Sequence, residues 1–267
     1  SPDATLLLVH IINERSAHAD CRDLRVLDAT TGEEQTTLPP KRYGKGVTFS
    51  PDGKSILATT TDPVGVLRIA TETGKELLHI PVSPKSTTHP SRFLEISPDG
   101  QRIVGADEQT LVFTVWDVMT GVKQRTLPCD ITYTRVVSFS ADSRRLVMDL
   151  HPQEKPELLS FWDIEAGKEL LRIKDSVLVP DSLSFSPDGK HIASGSHNGT
   201  INIWSAKTGL VERRLQDRDP YHFVRSVNFS PNGKRLVSGS SIAGKRTQRG
   251  SSDYYGRVKV WDISELK

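Results

Sequence analysis

Apolar and polar residues alternate with period two along much of the chain, as in Lys190-His191-Ile192-Ala193-Ser194 and Thr200-Ile201-Asn202-Ile203-Trp204. Such alternation predicts half-buried β-strands. Glu157 to Leu171 could pass locally for a helix, but its Trp162-Asp163 falls in a slot that strands occupy elsewhere in the chain, and the repeat outweighs the local propensity. The longest apolar run is Leu6 to Val9, resuming at Ile11-Ile12. A membrane-spanning helix needs roughly 20 such residues, so no span is predicted.

A turn motif punctuates the alternation. It reads Ser50-Pro51-Asp52-Gly53-Lys54, Ser97-Pro98-Asp99-Gly100-Gln101, Ser186-Pro187-Asp188-Gly189-Lys190 and Ser230-Pro231-Asn232-Gly233-Lys234. Degenerate copies are Ser1-Pro2-Asp3-Ala4 and Ser140-Ala141-Asp142-Ser143-Arg144. The serines at 1, 50, 97, 140, 186 and 230 are spaced by 49, 47, 43, 46 and 44 residues. Proline presets φ at the first corner and glycine supplies φ > 0 after it. A period in the forties points to a repeat architecture.

A second marker keeps phase with the first: Val115-Trp116-Asp117, Phe161-Trp162-Asp163, Ile203-Trp204-Ser205 and Val260-Trp261-Asp262, with Val26-Leu27-Asp28 and Arg68-Ile69-Ala70 as weaker copies. Further turns follow it at Thr31-Gly32, Thr73-Gly74, Thr120-Gly121, Ala166-Gly167 and Thr208-Gly209. The two markers together resemble the WD-repeat β-propeller family, in which each repeat supplies the four antiparallel strands of one blade. The resemblance covers essentially the whole chain and implies an all-β propeller of about six divergent blades. Blade one is partial (1–40), followed by blade two (41–84), blade three (85–130), blade four (131–175), blade five (176–218) and a partial blade six (219–267), all within one domain, 1–267.

Two features depart from the family pattern. No Gly-His dipeptide occurs, and the aspartate that would stand six residues before the tryptophan is missing, Asn198 being the nearest substitute. The buried Asp-His-Ser-Trp network of well-matched repeats is therefore expected to be absent, with apolar contacts carrying the blade packing. The phase of the ends predicts 22 strands, blade one lacking its inner strand and blade six its outer one. An exposed hairpin edge is a pairing liability. The chain, which opens on Ser1 rather than Met, is expected to be part of a larger multidomain protein. The simplest parent is a seven-bladed propeller; a six-bladed ring with modified end blades is the alternative.

Most of the variation in repeat length falls between the second and third strands, in blades one, four and six. In the resembled fold this loop lies on the usual binding face, and loops on a rigid scaffold are where binding residues concentrate. The blade-six insertion, Ser241 to Gly256, carries Lys245, Arg246 and Arg249, with Arg257 following, Asp253 as its one acid and Tyr254-Tyr255 at its end. It reads either as a docking loop for an acidic peptide, a phosphate or nucleic acid, or as a solvated loop kept soluble by charge. A second candidate is a basic rim. Four residues before the last apolar residue ahead of each turn stand Lys45, Arg92, Arg135, Asp181 and Arg225. Their shared parity with core positions would carry them to a channel mouth. The plainer reading is a set of snorkelling side chains with local acidic partners.

Composition narrows the partners. With 35 basic against 33 acidic residues, the net charge of +2 excludes a uniformly basic nucleic-acid coat. Cys21 and Cys129 form no disulfide framework and no zinc-type pair. The eight histidines show no HExxH pairing, no GxSxG elbow occurs, and no metal or cofactor is expected. Gly239 to Lys245 matches most of a phosphate-binding loop, but Arg246 replaces the Mg²⁺-binding hydroxyl and the segment joins strands. Asn198-Gly199-Thr200 fits a glycosylation pattern and is better explained as a tight hairpin turn. The reading is a cytoplasmic, non-catalytic protein-interaction scaffold or docking module for an acidic protein or peptide, with neither nucleic acid nor membrane as partner. The alternative is a propeller enzyme or a periplasmic translocation- or peptidase-associated propeller.

Overall fold

Each Ser-Pro-Asp-Gly turn closes through the same set of bonds. In the fifth copy Ser186 Oγ donates to Asp188 Oδ1 at 2.6 Å, and that oxygen also accepts the Lys190 N–H at 3.0 Å. The His191 N–H donates back to Ser186 Oγ at 2.9 Å, and Gly189 sits at φ 67°. The degenerate copy keeps the geometry. Ser140 and Asp142 make the same contacts to Arg144 and Arg145, and Ser143 takes the left-handed conformation at φ 60°. Local side-chain chemistry, rather than glycine alone, therefore sets the turn.

The computed structural model describes the chain apart from residues 2, 4, 13–21, 40, 63, 82–93, 108–111, 130–133, 135, 151–157, 175–179, 217–221, 247–251 and 267. The described residues hold 22 strands and divide into two compact units, Ser1–Cys129 and Asp130–Lys267.

In the first unit, blade one is β1 (Leu6–Ile12), β2 (Arg22–Asp28) and β3 (Glu34–Thr37). Blade two is β4 (Arg42–Phe49), β5 (Ser55–Asp62), β6 (Val64–Ala70) and β7 (Glu76–Pro81). Blade three is β8 (Leu94–Ile96), β9 (Arg102–Asp107), β10 (Val112–Asp117) and β11 (Lys123–Leu127). In the second unit, blade four is β12 (Val137–Phe139), β13 (Arg145–Leu150), β14 (Leu158–Asp163) and β15 (Lys168–Lys174). Blade five is β16 (Pro180–Phe185), β17 (His191–Ser196), β18 (Thr200–Ser205) and β19 (Val211–Gln216). Blade six is β20 (His222–Phe229), β21 (Arg235–Arg246) and β22 (Ser252–Asp262). Every sheet is antiparallel with its strands in chain order; the first and last have three strands and the other four have four. From Leu158 to Leu171 the chain runs through β14, a turn and the start of β15, as the repeat predicts and the local helical pattern does not; Glu157 lies outside the described residues.

Apolar faces of neighbouring blades supply the core. In the first unit, Leu24, Val26 and Leu38 pack on Ile56, Ala58, Leu67 and Ile69, and the other face of blade two meets Ile96, Ile103 and Val118. In the second, Val147, Leu159 and Phe161 pack on Leu183, Phe185, Ile192 and Trp204, while Ala193, Ile201 and Ile203 pack on Val224, Val227 and Leu236. Blade six shows the same register with its far face uncovered. Val237, Val258 and Val260 are exposed where their blade-five equivalents Ala193, Ile201 and Ile203 are buried.

Candidate functional site

The inner strands of blades five and six each carry one extra residue. On β16 Pro180 pairs with Ser196 and Ser182 with Gly195, so Asp181 is left out of the ladder. On β20 Val224 pairs with Ser240 and Ser226 with Gly239, leaving out Arg225. These are β-bulges, which re-aim the extra side chain. The period-two parity expected for the rim is broken at both positions.

The two re-aimed side chains meet. Arg225 Nη1 donates to Asp181 Oδ2, and His197 Nε2 lies 2.6 Å from Asp181 Oδ1. The guanidinium carbon stands 5.1 Å over the Phe223 ring, which the His197 ring meets edge-on at 5.4 Å. Arg225 Nε also donates to Ser241 Oγ at 3.3 Å. Asp181 is 15% exposed against 52% for Arg225, so the carboxylate is covered by the groups it binds. Beside it the Val227 N–H donates to Ser182 Oγ at 2.8 Å, a second bond between the two inner strands. Arg225 thus has a local acidic partner, the plainer of the two expectations for the rim. Its charge is engaged in joining blades. Lys45 is placed in β4, its side chain outside the described part, and Arg92 and Arg135 lie outside the described residues.

The blade-six insertion is expected to be a loop, and most of it is strand. β21 and β22 continue into it, pairing Ser241 with Gly256, Ile242 with Tyr255, Ala243 with Tyr254 and Arg246 with Ser252. Lys245 and Arg246 are therefore on β21, and Tyr254, Tyr255 and Arg257 on β22; Arg249 lies outside the described residues. Alternating Ser, Ile, Tyr and Val residues suit a ribbon, and each added ladder bond satisfies backbone groups that a loop would leave to water. Among the described residues no group of three or more His, Cys, Asp or Glu is arranged to hold a metal ion.

The tryptophans face the core, as their strand slot predicts. Trp162 and Trp204 are buried, and Trp116 and Trp261 pack on the cores beside blades three and six. The aspartates that follow Trp116, Trp162 and Trp261 cap the next turn, Ser205 standing in that place after Trp204; Asp117 Oδ1 accepts the N–H groups of Met119 and Thr120. The tryptophan network is not wholly absent, contrary to expectation. Trp204 Nε1 donates to Ser194 Oγ at 2.9 Å and Trp261 Nε1 to Ser238 Oγ at 2.9 Å, tying the second strand to the third in blades five and six. In blade four Met148 stands where these serines stand, and Trp162 Nε1 is buried without a partner among the described residues. The signal was in the sequence: Ser194 and Ser238 each lie eight residues after the serine of the preceding turn. These two blades are also where the family model described as "WD domain, G-beta repeat" matches, over residues 175–205 and 219–262.

These two stretches carry WD repeats. The chain's six sheets are the blades of an all-β propeller fold, with the tryptophan slot toward the core and the following position at a turn. Serine-threonine kinase receptor-associated protein from Gallus gallus is 28% identical over 220 residues, covering 69% of this chain and 61% of that protein. The Homo sapiens protein of the same name is 29% identical over 224 residues, with the same shares. Target of rapamycin complex subunit wat1 from Schizosaccharomyces pombe is 23% identical over 152 residues, or 56% of this chain and 42% of that protein. The chain spans about 61% of the length of the first two.

Proposed function

We propose that this chain is a non-catalytic protein-interaction module that docks an acidic protein or peptide on the blade-six hairpin. One observation carries the reading. β21 and β22 run for 12 and 11 residues, where the corresponding β17 and β18 run for 6 each. The added length places Lys245 and Arg246 on one strand and Tyr254, Tyr255 and Arg257 on the other, and over Ser241 to Gly256 the sequence has Asp253 as its one acid. The names of the relatives support the class of function, one being a receptor-associated protein and another a subunit of a complex. Charge on such an edge mainly raises the association rate and makes binding salt-sensitive.

The test titrates a fluorescent glutamate-rich peptide with the chain at low and raised salt. The variant Lys245→Glu, Arg246→Glu, Arg249→Glu should bind at least about tenfold more weakly and lose most of the salt dependence. Unchanged affinity would overturn the assignment. The reading includes no chemical step. Turnover in a broad hydrolase and transferase screen, abolished by one Ser, His or Asp substitution, would count decisively against it.

A further inference from the structure

β20 has Arg225 near one end and Phe229 at the other. At the Phe229 end the turns of blades five and six face each other across a cleft of about 550 Å³, a size typical of ligand sites. Phe229, Ile263 and Leu266 form its floor and pack on the core shared by the two blades. The segment after β22 is folded back to complete that floor. Ser264 donates through both N–H and Oγ to Asp262, the Ile263 N–H donates to Lys234 O at 3.0 Å, and the Leu266 N–H to Ile263 O at 3.0 Å.

The corresponding space between blades four and five is bridged, because Arg145 Nη1 donates to Gly189 O at 3.3 Å. His191 stands at the register position of Arg145, five residues after its turn serine, and instead engages Glu212 of its own blade at 2.9 Å. The next cleft is therefore left open.

Its charge is also distinct. In blades two, four and five the turn carboxylate sits two residues before a cation, as Asp52 before Lys54, Asp142 before Arg144 and Asp188 before Lys190. Blade six has Asn232, whose Oδ1 accepts from Ser230 Oγ at 2.8 Å and from the Lys234 N–H at 3.1 Å, the same bonds without the charge. Lys190 and Lys234 are exposed on opposite walls; Lys190 feels the Asp188 carboxylate of its own turn, whereas the turn of Lys234 carries no carboxylate. Asp188 is the one acid of the lining. The result is a cationic mouth over an apolar floor.

We propose that this cleft binds a short extended segment of a partner protein bearing a carboxylate and an apolar side chain. The carboxylate sits between Lys190 and Lys234, and the apolar group rests on Phe229 and Leu266. The site is separate from the hairpin and does not depend on the hairpin's role.

A dansylated hexapeptide of alternating aspartate and leucine, followed by fluorescence anisotropy with the full chain, tests this. The peptide should bind, and versions with lysine for aspartate or alanine for leucine should bind at least about tenfold more weakly. Lys190→Glu with Lys234→Glu should cost a similar factor. Asn232→Asp, which keeps the turn bonds and restores the missing charge, should weaken binding severalfold. The hairpin triple variant should leave this affinity unchanged. No binding by the aspartate–leucine peptide, equal binding of the lysine or alanine versions, or full binding by the Lys190→Glu, Lys234→Glu chain would each overturn the proposal. So would loss of binding in the hairpin variant alone.

Discussion

Arg225 and Asp181 occupy the same bulge in neighbouring blades, and they bond to each other. The extra residue of each inner strand is released from its own ladder and meets its equivalent next door. Because Arg225 is half-exposed, solvent screens the pair and a modest contribution is expected. A double-mutant cycle with Asp181→Ala and Arg225→Ala, read by chemical denaturation, should give a coupling of about 0.5–1.5 kcal/mol. Strict additivity would show that the contact does not hold the blades together.

Trp204 and Trp162 share a strand slot and differ in one bond. The Trp204 indole N–H has Ser194 Oγ, and the Trp162 N–H has no partner among the described residues. Trp204→Phe should therefore cost about 1 kcal/mol more than Trp162→Phe, and Ser194→Ala alone roughly 1–2 kcal/mol, since each orphans a buried polar group or removes its bond. Equal losses for the two tryptophans would show that the serine bond contributes nothing net.

The turn aspartates make stability depend on acid. The Ser50 hydroxyl and the Lys54 N–H hold the Asp52 carboxyl below its ordinary value. Burial alone would raise Asp188, and the Ser186 hydroxyl and Lys190 N–H outweigh it, so this carboxyl is lowered too. Groups depressed in the folded state stabilise it fully above the ordinary carboxylate range, and that contribution is lost as the pH falls through the folded value. The Tm should fall on acidification from about pH 5 toward pH 2, and Asp188→Asn should lower the Tm at pH 7 and flatten part of that slope, so that the two chains converge at low pH. Asn232 already shows that an amide fits the turn. A slope that Asp188→Asn leaves intact would place the acid sensitivity elsewhere.

Gly195 of blade five packs against the inner strand of blade six. A Cβ there would stand 2.5 Å from Val224 Cγ1 and 3.1 Å from Val227 Cγ1. Gly195→Ala should destabilise by about 1–3 kcal/mol through overpacking. Adding Val224→Ala, which makes room, should recover part of the loss; a further additive loss would contradict the steric explanation.

What the sequence determines here is what short-range chemistry encodes. Ser186, Asp188 and Gly189 close their turn with bonds spanning at most five residues, so the turn is legible wherever the motif recurs. Its phase with Trp204 then assigns strands and facing, and a helical pattern at Glu157 to Leu171 yields because strand pairing and burial override local propensity. The Ser194–Trp204 bond was within reach of the same reasoning, being a pair across one hairpin. The remaining features depend on contacts between segments far apart in the chain. Asp181 and Arg225 are 44 residues apart, and a bulge turns both out of the period that would have placed them. Charge alone makes Ser241 to Gly256 resemble a loop, and only the ladder between β21 and β22 makes it a ribbon. The cleft above Phe229 forms where two turns and a returning segment meet, and no local pattern reports the space left between elements that pack from different parts of the chain.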